Sequence, residues 1–305
     1  MINFIKHHDI DKKRWDHSIL NSANFNIYGM SFYLDIVSPG WDALIEGDYE
    51  SIFPLTWRRK FGINYLYQPF FTQQNGVYFK EKPNQNLLQS FLNMVEKHYK
   101  YIDICLNTEN NFPVEKYKLQ PKVTHHLNLH QPYQKLEKQY STNHLRNLKK
   151  ARTGAYLILN DPERITDIIK LFRVTKGKSI STLKNSDYKM FLVLCDEMKK
   201  RGFCEVLYTG DGQSKVIGGI IVFKIQNNAV FIFSALAEQY KNTGLMHLLI
   251  DRYIEKHAGE NLILDFEGSM NPQLARFYKG FGSEVFFYPH ITLNNLPSAV
   301  RWLKK

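Results

Sequence analysis

Two carboxylates near the C-terminus could act on an amine. Asp265 and Glu267 end the apolar segment NLILDFEG and alternate with Leu264 and Phe266. In a β-strand, such alternation places both carboxylates on one face of the sheet. A carboxylate pair at the end of a strand can hold an amine nucleophile and accept its proton. The same two side chains could instead cap the helix that the next segment predicts, and the residues alone leave both interpretations open.

These carboxylates belong to the second of two similar series of predicted elements. Residues 203–294 read as strand, turn, strand, strand, helix, strand, helix and strand, and residues 41–129 read in a similar order. Equivalent residues lie 162 to 164 positions apart, for example Asp103 and Asp265. The repeat predicts a mixed α/β fold with two tandem units, residues 1–132 and 133–305, each with a mixed central sheet flanked by helices.

The composition indicates an ordinary globular protein. The chain has 305 residues, of which 44% are apolar and 23% are charged, so it can bury a sizeable core. No apolar run approaches the roughly 18 residues of a membrane span, and the start lacks a secretory apolar core. We therefore expect a soluble, cytoplasmic protein. The three cysteines have no disulfide or metal spacing, and the adjacent His125 and His126 would face opposite sides of a strand, so no metal site is predicted.

The positive charge suggests an anionic partner. The formal net charge is +11, and residues 135–152 hold six Lys or Arg against one acidic residue. The leucine spacing there predicts one basic helix, which Gly154 would stop. Such a helix could bind tRNA or another nucleic acid through its phosphates. The alternative is a basic surface that only contacts solvent.

The second series of elements resembles the GNAT acyltransferase fold. In that family two neighbouring parallel strands part, an acyl donor lies in the gap, and its pyrophosphate rests on a helix N-terminus, where free N–H groups attract anions. The matching segment here is AEQYKNTGLMHLL, which keeps the family's glutamine and has an asparagine in place of its first glycine. The resemblance implies donor contacts at six residues, namely Leu236, Ala237, Gln239, Asn242, Thr243 and Gly244. Backbone N–H groups near Leu236–Ala237 would stabilise an oxyanion. The alternative for the loop is an ordinary helix cap.

One tyrosine matches a further motif of the same fold. The segment NPQLARFYKGFG resembles the A-x-x-x-Y-x-x-x-G pattern of GNAT enzymes in a slightly compressed form, with Ala275, Tyr278 and Gly282 as the matching residues. The resemblance implies that Tyr278 protonates the departing group, which a phenol can do once negative charge develops beside it. The alternative is a half-buried tyrosine that only packs.

Shorter motifs resemble the Fem aminoacyltransferases. LDFEGS followed by FYKGFG is similar to a strand end and glycine turn of that family, HLRNLKKARTGA to its basic segment, and YQPFFTQQNGVYF to a strand and loop of its first domain. Fem proteins consist of two tandem GNAT-like units, and they transfer an amino acid from aminoacyl-tRNA to an amine on a cell-wall precursor. The resemblance implies an amine acceptor. It leaves acyl-CoA, aminoacyl-tRNA and acyl-carrier protein open as donors, and no permanently bound cofactor is expected.

The first half has no glycine-bearing phosphate loop, so we expect it to shape the acceptor pocket. Aromatic rings with amides can hold a sugar or a peptide. The candidate acceptor-binding residues are Arg58, Arg59, Tyr67, Gln68, Phe70, Gln73 and Gln74. The alternative is that this half is a structural partner domain.

The leading hypothesis is a GNAT/Fem-type N-acyltransferase that works by direct attack. An amine deprotonated through Asp265 or Glu267 would attack the acyl carbonyl, and Tyr278 would protonate the leaving group. The alternative is a non-catalytic RNA- or envelope-binding protein that has kept the fold and lost the chemistry. The basic segment at residues 135–152 favours that alternative.

Overall fold

A computed structural model describes residues 1–81, 85–110, 117–212, 215–268 and 270–301. The strands are β1 (Ile2–Ile5), β2 (Asp42–Glu46), β3 (Ser51–Leu55), β4 (Trp57–Lys60), β5 (Ile63–Tyr67), β6 (Tyr78–Phe79), β7 (Tyr101–Cys105), β8 (Lys118–Asn128), β9 (Leu159–Asn160), β10 (Cys204–Gly210), β11 (Val216–Ile225), β12 (Asn228–Leu236), β13 (Ile263–Asp265) and β14 (Glu284–Asn294). The helices are α1 (Lys12–Leu20), α2 (Ser31–Val37), α3 (Gln85–His98), α4 (Tyr133–Glu137), α5 (Thr142–Arg152), α6 (Ile165–Val174), α7 (Asn185–Lys200), α8 (Leu245–His257), α9 (Pro272–Lys279) and α10 (Ser298–Arg301). The mixed α/β class predicted from the sequence is confirmed.

The chain forms two compact units. Unit 1 contains residues 1–122 and 287–305, and unit 2 contains residues 123–286. The divisions fall inside β8 and β14, because each repeat contributes its last strand to the other unit. In unit 2, β8 pairs with β13, and in unit 1, β14 pairs with β7. The boundary predicted at residue 132 divides the two repeats along the sequence. The two compact units are defined by contacts instead, so the boundary at residue 132 stays a prediction.

Unit 2 is built on a mixed sheet with the strand order β8-β13-β12-β11-β10-β9. Strands β10, β11 and β12 form an antiparallel meander, and β13 is parallel to β12. Helices cover both faces, as two adjacent glycines of β11 show. A side chain at Gly218 would meet Leu245 and Leu249 of α8, and one at Gly219 would lie 2.6 Å from Ile168 of α6. Successive strand residues face opposite sides, so α8 and α6 lie on opposite faces of the sheet.

Unit 1 has a four-stranded sheet, β1-β2-β3-β6, and a second group of strands in the order β4-β5-β7-β14. Helix α3 packs its apolar stripe into the core of this unit. Leu88, Phe91, Leu92 and Val95 of α3 are all buried, and their spacing of three and four residues is the helical period that predicts α3 from the sequence.

The basic helix predicted over residues 135–152 is in fact two helices, α4 and α5. Ser141 ends the connection between them by capping α5, and its hydroxyl oxygen accepts a hydrogen bond from the His144 N–H. A serine at this position satisfies one of the free N–H groups at the start of a helix. Within the described ranges, no helix is long and apolar enough to cross a membrane.

Candidate active site

The two central strands of unit 2 part as the sequence predicts. Parallel pairing between β12 and β13 ends at Val230 and Asp265, whereas β12 continues to Leu236. After Asp265 the chain stays beside β8, since the Phe266 N–H donates to the His125 carbonyl at 2.9 Å, but it no longer pairs with β12. From residue 231 onward, β12 therefore borders a gap on the side where β13 lay.

A β-bulge in β12 lies at the start of this gap. Phe231 is opposite Val222, and Phe233 is opposite Ile221, so Ile232 is an extra residue with no partner position on β11. A bulge of this kind reverses the direction of the backbone groups that follow it, and bulges are frequent beside active sites.

The bulge decides which N–H groups of β12 point into the gap. The Ala237 N–H donates to the Ile217 carbonyl at 2.8 Å, so it points toward β11. Because successive residues of a strand direct their N–H groups to opposite sides, Ser234 and Leu236 direct theirs toward the gap. Of the two predicted oxyanion donors, Leu236 has the required direction. The prediction for the Ala237 N–H is wrong, because that group already has a carbonyl partner.

Asp265 is buried, and both of its carboxylate oxygens have neighbours. Oδ1 accepts hydrogen bonds from the Thr124 hydroxyl at 2.5 Å and the Glu267 N–H at 2.8 Å. Oδ2 lies 3.3 Å from Nε2 of His126. These contacts hold the end of β13 against β8 and shape the turn that follows.

Glu267 lies beyond the strand. Strand β13 ends at Asp265, and Glu267 has a φ of +52°, a left-handed conformation that is uncommon for residues other than glycine. The expectation that strand alternation places Asp265 and Glu267 on one face is therefore wrong. The next residue, Gly268, passes so close to β8 that a side chain there would lie 2.1 Å from the Val123 carbonyl oxygen.

Helix α9 brings Tyr278 to the parted strands. Its half-buried ring stacks on Phe266, with centroids 5.0 Å apart, and meets Phe231 edge-on at 6.2 Å. Among the described residues, no hydrogen-bond partner lies at its hydroxyl. Burial, followed by the charge of Glu267, raises the pKa of Tyr278 above its usual value. The phenol is therefore protonated at neutral pH and has a proton to donate.

The loop expected to bind the donor is packed against α5. Gly244 caps α8 with a φ of +82°, and a side chain there would lie 2.2 Å from the Asn147 carbonyl oxygen. The Lys150 ammonium donates to the Asn242 carbonyl at 2.7 Å, and the Thr243 hydroxyl accepts from the N–H of the first residue of α8. Gln239 is exposed. These contacts show that the loop caps α8 and packs on α5. That the loop also binds the donor stays a prediction.

One cation of the basic segment is committed to an ion pair. The Arg152 guanidinium lies 3.1 Å from carboxylates of both Glu137 and Asp251. The Tyr133 hydroxyl donates to the same buried Asp251 at 2.8 Å. Burial raises the pKa of Asp251, and these partners oppose that shift. Arg152 therefore has a structural role. The interpretation of residues 135–152 as a nucleic-acid-binding surface did not predict that role.

The predicted acceptor residues of unit 1 separate into two groups. The Arg58 guanidinium lies over the Tyr67 ring at 4.1 Å, so these two side chains do come together. Gln68 accepts from the Cys105 N–H at 2.8 Å, just beyond the last parallel pair of β5 and β7. Its side chain spans the position that is equivalent to the gap in unit 2.

The remaining acceptor candidates make other contacts or are exposed. Gln74 is buried and holds both the Thr108 N–H and the Gln73 side chain. Arg59 is exposed and donates to a carbonyl of its own hairpin, and Phe70 is 37% exposed. The side chains of Gln68 and Gln74 therefore both accept hydrogen bonds from backbone N–H groups. The role of these two residues in acceptor binding stays a prediction.

Sequence reasoning missed the residues that hold Asp265, namely Thr124 and His126. The repeat carried a usable signal, because His126 and His290 occupy equivalent positions. The structure pairs the repeated residues crosswise: His126 lies beside Asp265 in unit 2, and His290 lies 2.7 Å from Asp103 in unit 1. An Asp–His contact that occurs once in each unit could have been proposed from the repeat and the exchange of last strands.

No protein-family model matches the sequence, and no curated protein matches it either. Several solved structures do match the fold. FemX aligns over 98% of this chain and 99% of its own at 12% identity, with a TM-score of 0.66. L-PGS from Bacillus licheniformis covers 96% and 95% at 8% identity, with a TM-score of 0.57. A tandem GNAT protein from the clavulanic acid biosynthesis pathway covers 98% and 100% at 12% identity, with a TM-score of 0.54. The chain therefore has the tandem GNAT-like, Fem-type fold that its motifs predict.

Proposed function

We propose that this chain is an N-acyltransferase that moves an acyl or aminoacyl group from an activated ester to an amine. The observation that carries the proposal is the parting of β12 and β13 after Val230 and Asp265. The gap combines strand N–H groups that point into it with the protonated phenol of Tyr278. These are the two kinds of donor that an acyl transfer needs, one for the oxyanion and one for the leaving group.

The reaction proceeds by direct attack in this gap. The amine nitrogen bonds to the acyl carbon, and the carbonyl oxygen becomes an oxyanion that accepts a hydrogen bond from the Leu236 N–H. The bond to the leaving oxygen or sulfur then breaks, and Tyr278 supplies its proton. Glu267 takes the proton that the amine loses. Asp265 fixes the turn that carries Glu267, since its Oδ1 accepts from Thr124 and from the Glu267 N–H and its Oδ2 lies beside His126.

The donor is acyl-CoA, aminoacyl-tRNA or an acyl-carrier protein. The net charge of +11 suits each of these anionic carriers. Arg146 and Lys149 are exposed on α5, and they are the cations of the basic segment through which tRNA would bind. The acceptor amine belongs to a cell-envelope precursor, as the Fem-like motifs imply. Arg58 and Tyr67 of unit 1, whose side chains lie together, are the residues proposed to bind that precursor.

The test is amide formation by the purified protein. It is incubated with labelled acyl-CoA or aminoacyl-tRNA and a panel of amines, including envelope precursors, and mass spectrometry detects the product. We expect an amide with at least one donor. Tight, salt-dependent RNA binding without transfer from any donor would favour the alternative, a non-catalytic RNA-binding protein.

A further inference from the structure

The hairpin of β4 and β5 projects from unit 1. Strand β5 pairs in parallel with β7 only at Leu66 and Tyr67, and β7 begins at Tyr101. Residues 59–64, which we call the hairpin tip, therefore extend past the start of β7. Within the described chain their strand pairing is only with each other, and β4 is the edge strand of its sheet. Every residue of the tip except Ile63 is exposed.

A phenylalanine occupies the turn of this hairpin. Phe61 and Gly62 connect the two strands, with φ angles of +50° and +78°. A two-residue turn with both φ angles positive favours Asn-Gly or Asp-Gly, because a bulky side chain is unfavourable in the left-handed region. Phe61 is also 70% exposed, so its ring gains little from burial in the fold. A residue that is unfavourable in both respects points to a role outside folding.

The residues beside Phe61 are cationic. The hairpin sequence WRRKFGINYLY contains three cations and no carboxylate. The cations are Arg58, Arg59 and Lys60, which are all exposed, and among the described residues none of them forms an ion pair. The Lys60 ammonium lies over the Phe61 ring, 5.3 Å from its centroid, and Arg59 donates to the Gly62 carbonyl at 3.3 Å. The exposed ring is therefore followed directly by positive charge.

We propose that the hairpin tip docks on a lipid bilayer with anionic headgroups, with Phe61 inserted at the boundary between headgroups and acyl chains. A negative membrane surface attracts nearby Lys and Arg, and apolar side chains such as Phe anchor peripheral segments at that boundary. Single-stranded nucleic acid is the other anionic partner for an exposed ring, since bases stack on aromatic side chains. The structure favours the bilayer, because Lys60 covers one face of the ring that a base would need.

The Phe61→Asn variant separates membrane binding from folding. Asparagine is favoured at the first central position of this turn, so the variant should unfold at the same urea concentration as the wild type or at a higher one. Its affinity for vesicles of phosphatidylglycerol and phosphatidylcholine, measured by co-sedimentation of the full chain, should fall about tenfold or more, because that factor corresponds to removing a phenylalanine side chain from water. Equal vesicle affinity in this variant and the wild type would overturn the proposal.

The charge requirement has its own matched pair of variants. Lys60→Gln should lower the affinity for the mixed vesicles about fivefold, the usual effect of one cation near an anionic membrane. Lys13→Gln is the control, since Lys13 is exposed on α1 beside the turn between β2 and β3, and it should change the affinity by less than about twofold. Equal losses in the two variants would mean that only the net charge matters, and equal binding to pure phosphatidylcholine vesicles would mean that no anionic headgroup is needed. Either result would overturn the proposal.

A tryptophan at the tip reports insertion. The emission of Phe61→Trp, after subtraction of the wild-type signal from the four native tryptophans, should shift to the blue with mixed vesicles and be quenched by brominated lipids. Unchanged emission would overturn the proposal. Binding to oligouridylate that Phe61→Asn abolishes, without binding to vesicles, would identify nucleic acid as the partner instead.

Docking and transfer fail separately, because the hairpin tip belongs to unit 1 and the parted strands to unit 2. Amide formation by a protein that binds no vesicles would refute only the docking. Vesicle binding that depends on Phe61, by a protein that forms no amide, would refute only the transferase.

Discussion

Tyr278→Phe is the sharpest test of the proposed chemistry. The substitution removes one hydroxyl and leaves the ring stacked 5.0 Å from Phe266. Since no described residue bonds that hydroxyl, the free energy of unfolding should change by less than about 0.5 kcal/mol. Loss of a general acid typically costs 10²- to 10⁴-fold, so we expect kcat to fall about 100-fold or more while donor affinity stays within about twofold.

The assay pairs steady-state kinetics with donor binding over a range of pH. Because the pKa of Tyr278 is raised, wild-type kcat should not decline through deprotonation of this phenol below about pH 10. Tyr208→Phe is the control, since Tyr208 is also half-buried in unit 2 and lies on β10, which pairs with β9 and β11 and not with the parted strands. Equal losses of kcat and donor affinity would refute the assigned role, as would turnover within about threefold of the wild type.

Three further predictions concern stability. Gly244→Ala should lower the free energy of unfolding by about 2–4 kcal/mol in urea titrations, because the new methyl group would overlap the Asn147 carbonyl at a positive φ; an unchanged midpoint would show that α5 can move aside. Burial lowers the pKa of His247 in the folded state to about 4. The neutral ring therefore stabilises the folded state fully above about pH 6.5, the pKa in the unfolded chain, and this stabilisation is lost as pH falls toward 4. The wild type should lose about 2–3 kcal/mol over that range, and His247→Gln should lose less; identical pH profiles would exclude this source. Arg152→Ala should cost about 1–2 kcal/mol in urea titrations, because it leaves the buried Asp251 without its cation and Arg152 itself is partly exposed; unchanged stability would mean that Tyr133 alone satisfies Asp251.

Local sequence patterns were sufficient for most of the framework. Helices α3 and α8 follow from apolar spacing, and the two series of strands and helices follow from the repeat. Tyr278 and the parted strands were found because the motif and the strand order occur together. Helices α1 and α2, in the first 40 residues, were not predicted.

The features that could not be predicted from the sequence depend on contacts between residues that are far apart in the chain. The direction of the Ala237 N–H depends on the bulge at Ile232, which shifts the strand alternation and has no marker in composition. The break between α4 and α5 did have a local signal, since Ser141 is a good N-cap residue. The contact between His144 of α5 and the Phe277 carbonyl of α9 could not be foreseen, because the two residues lie 133 positions apart.

The exchange of last strands constrains how this protein is made. Unit 1 lacks β14 until residues 287–294 leave the ribosome, and β14 pairs with β7. The hydrophobic core of unit 1 therefore stays incomplete while more than 160 further residues are synthesised. During that time chaperones and proteases have access to it. Neither half of the gene would encode a self-sufficient domain, because a cut between the repeats removes one edge of each sheet. Each repeat therefore depends on the other, because each unit contains the last strand of the other repeat.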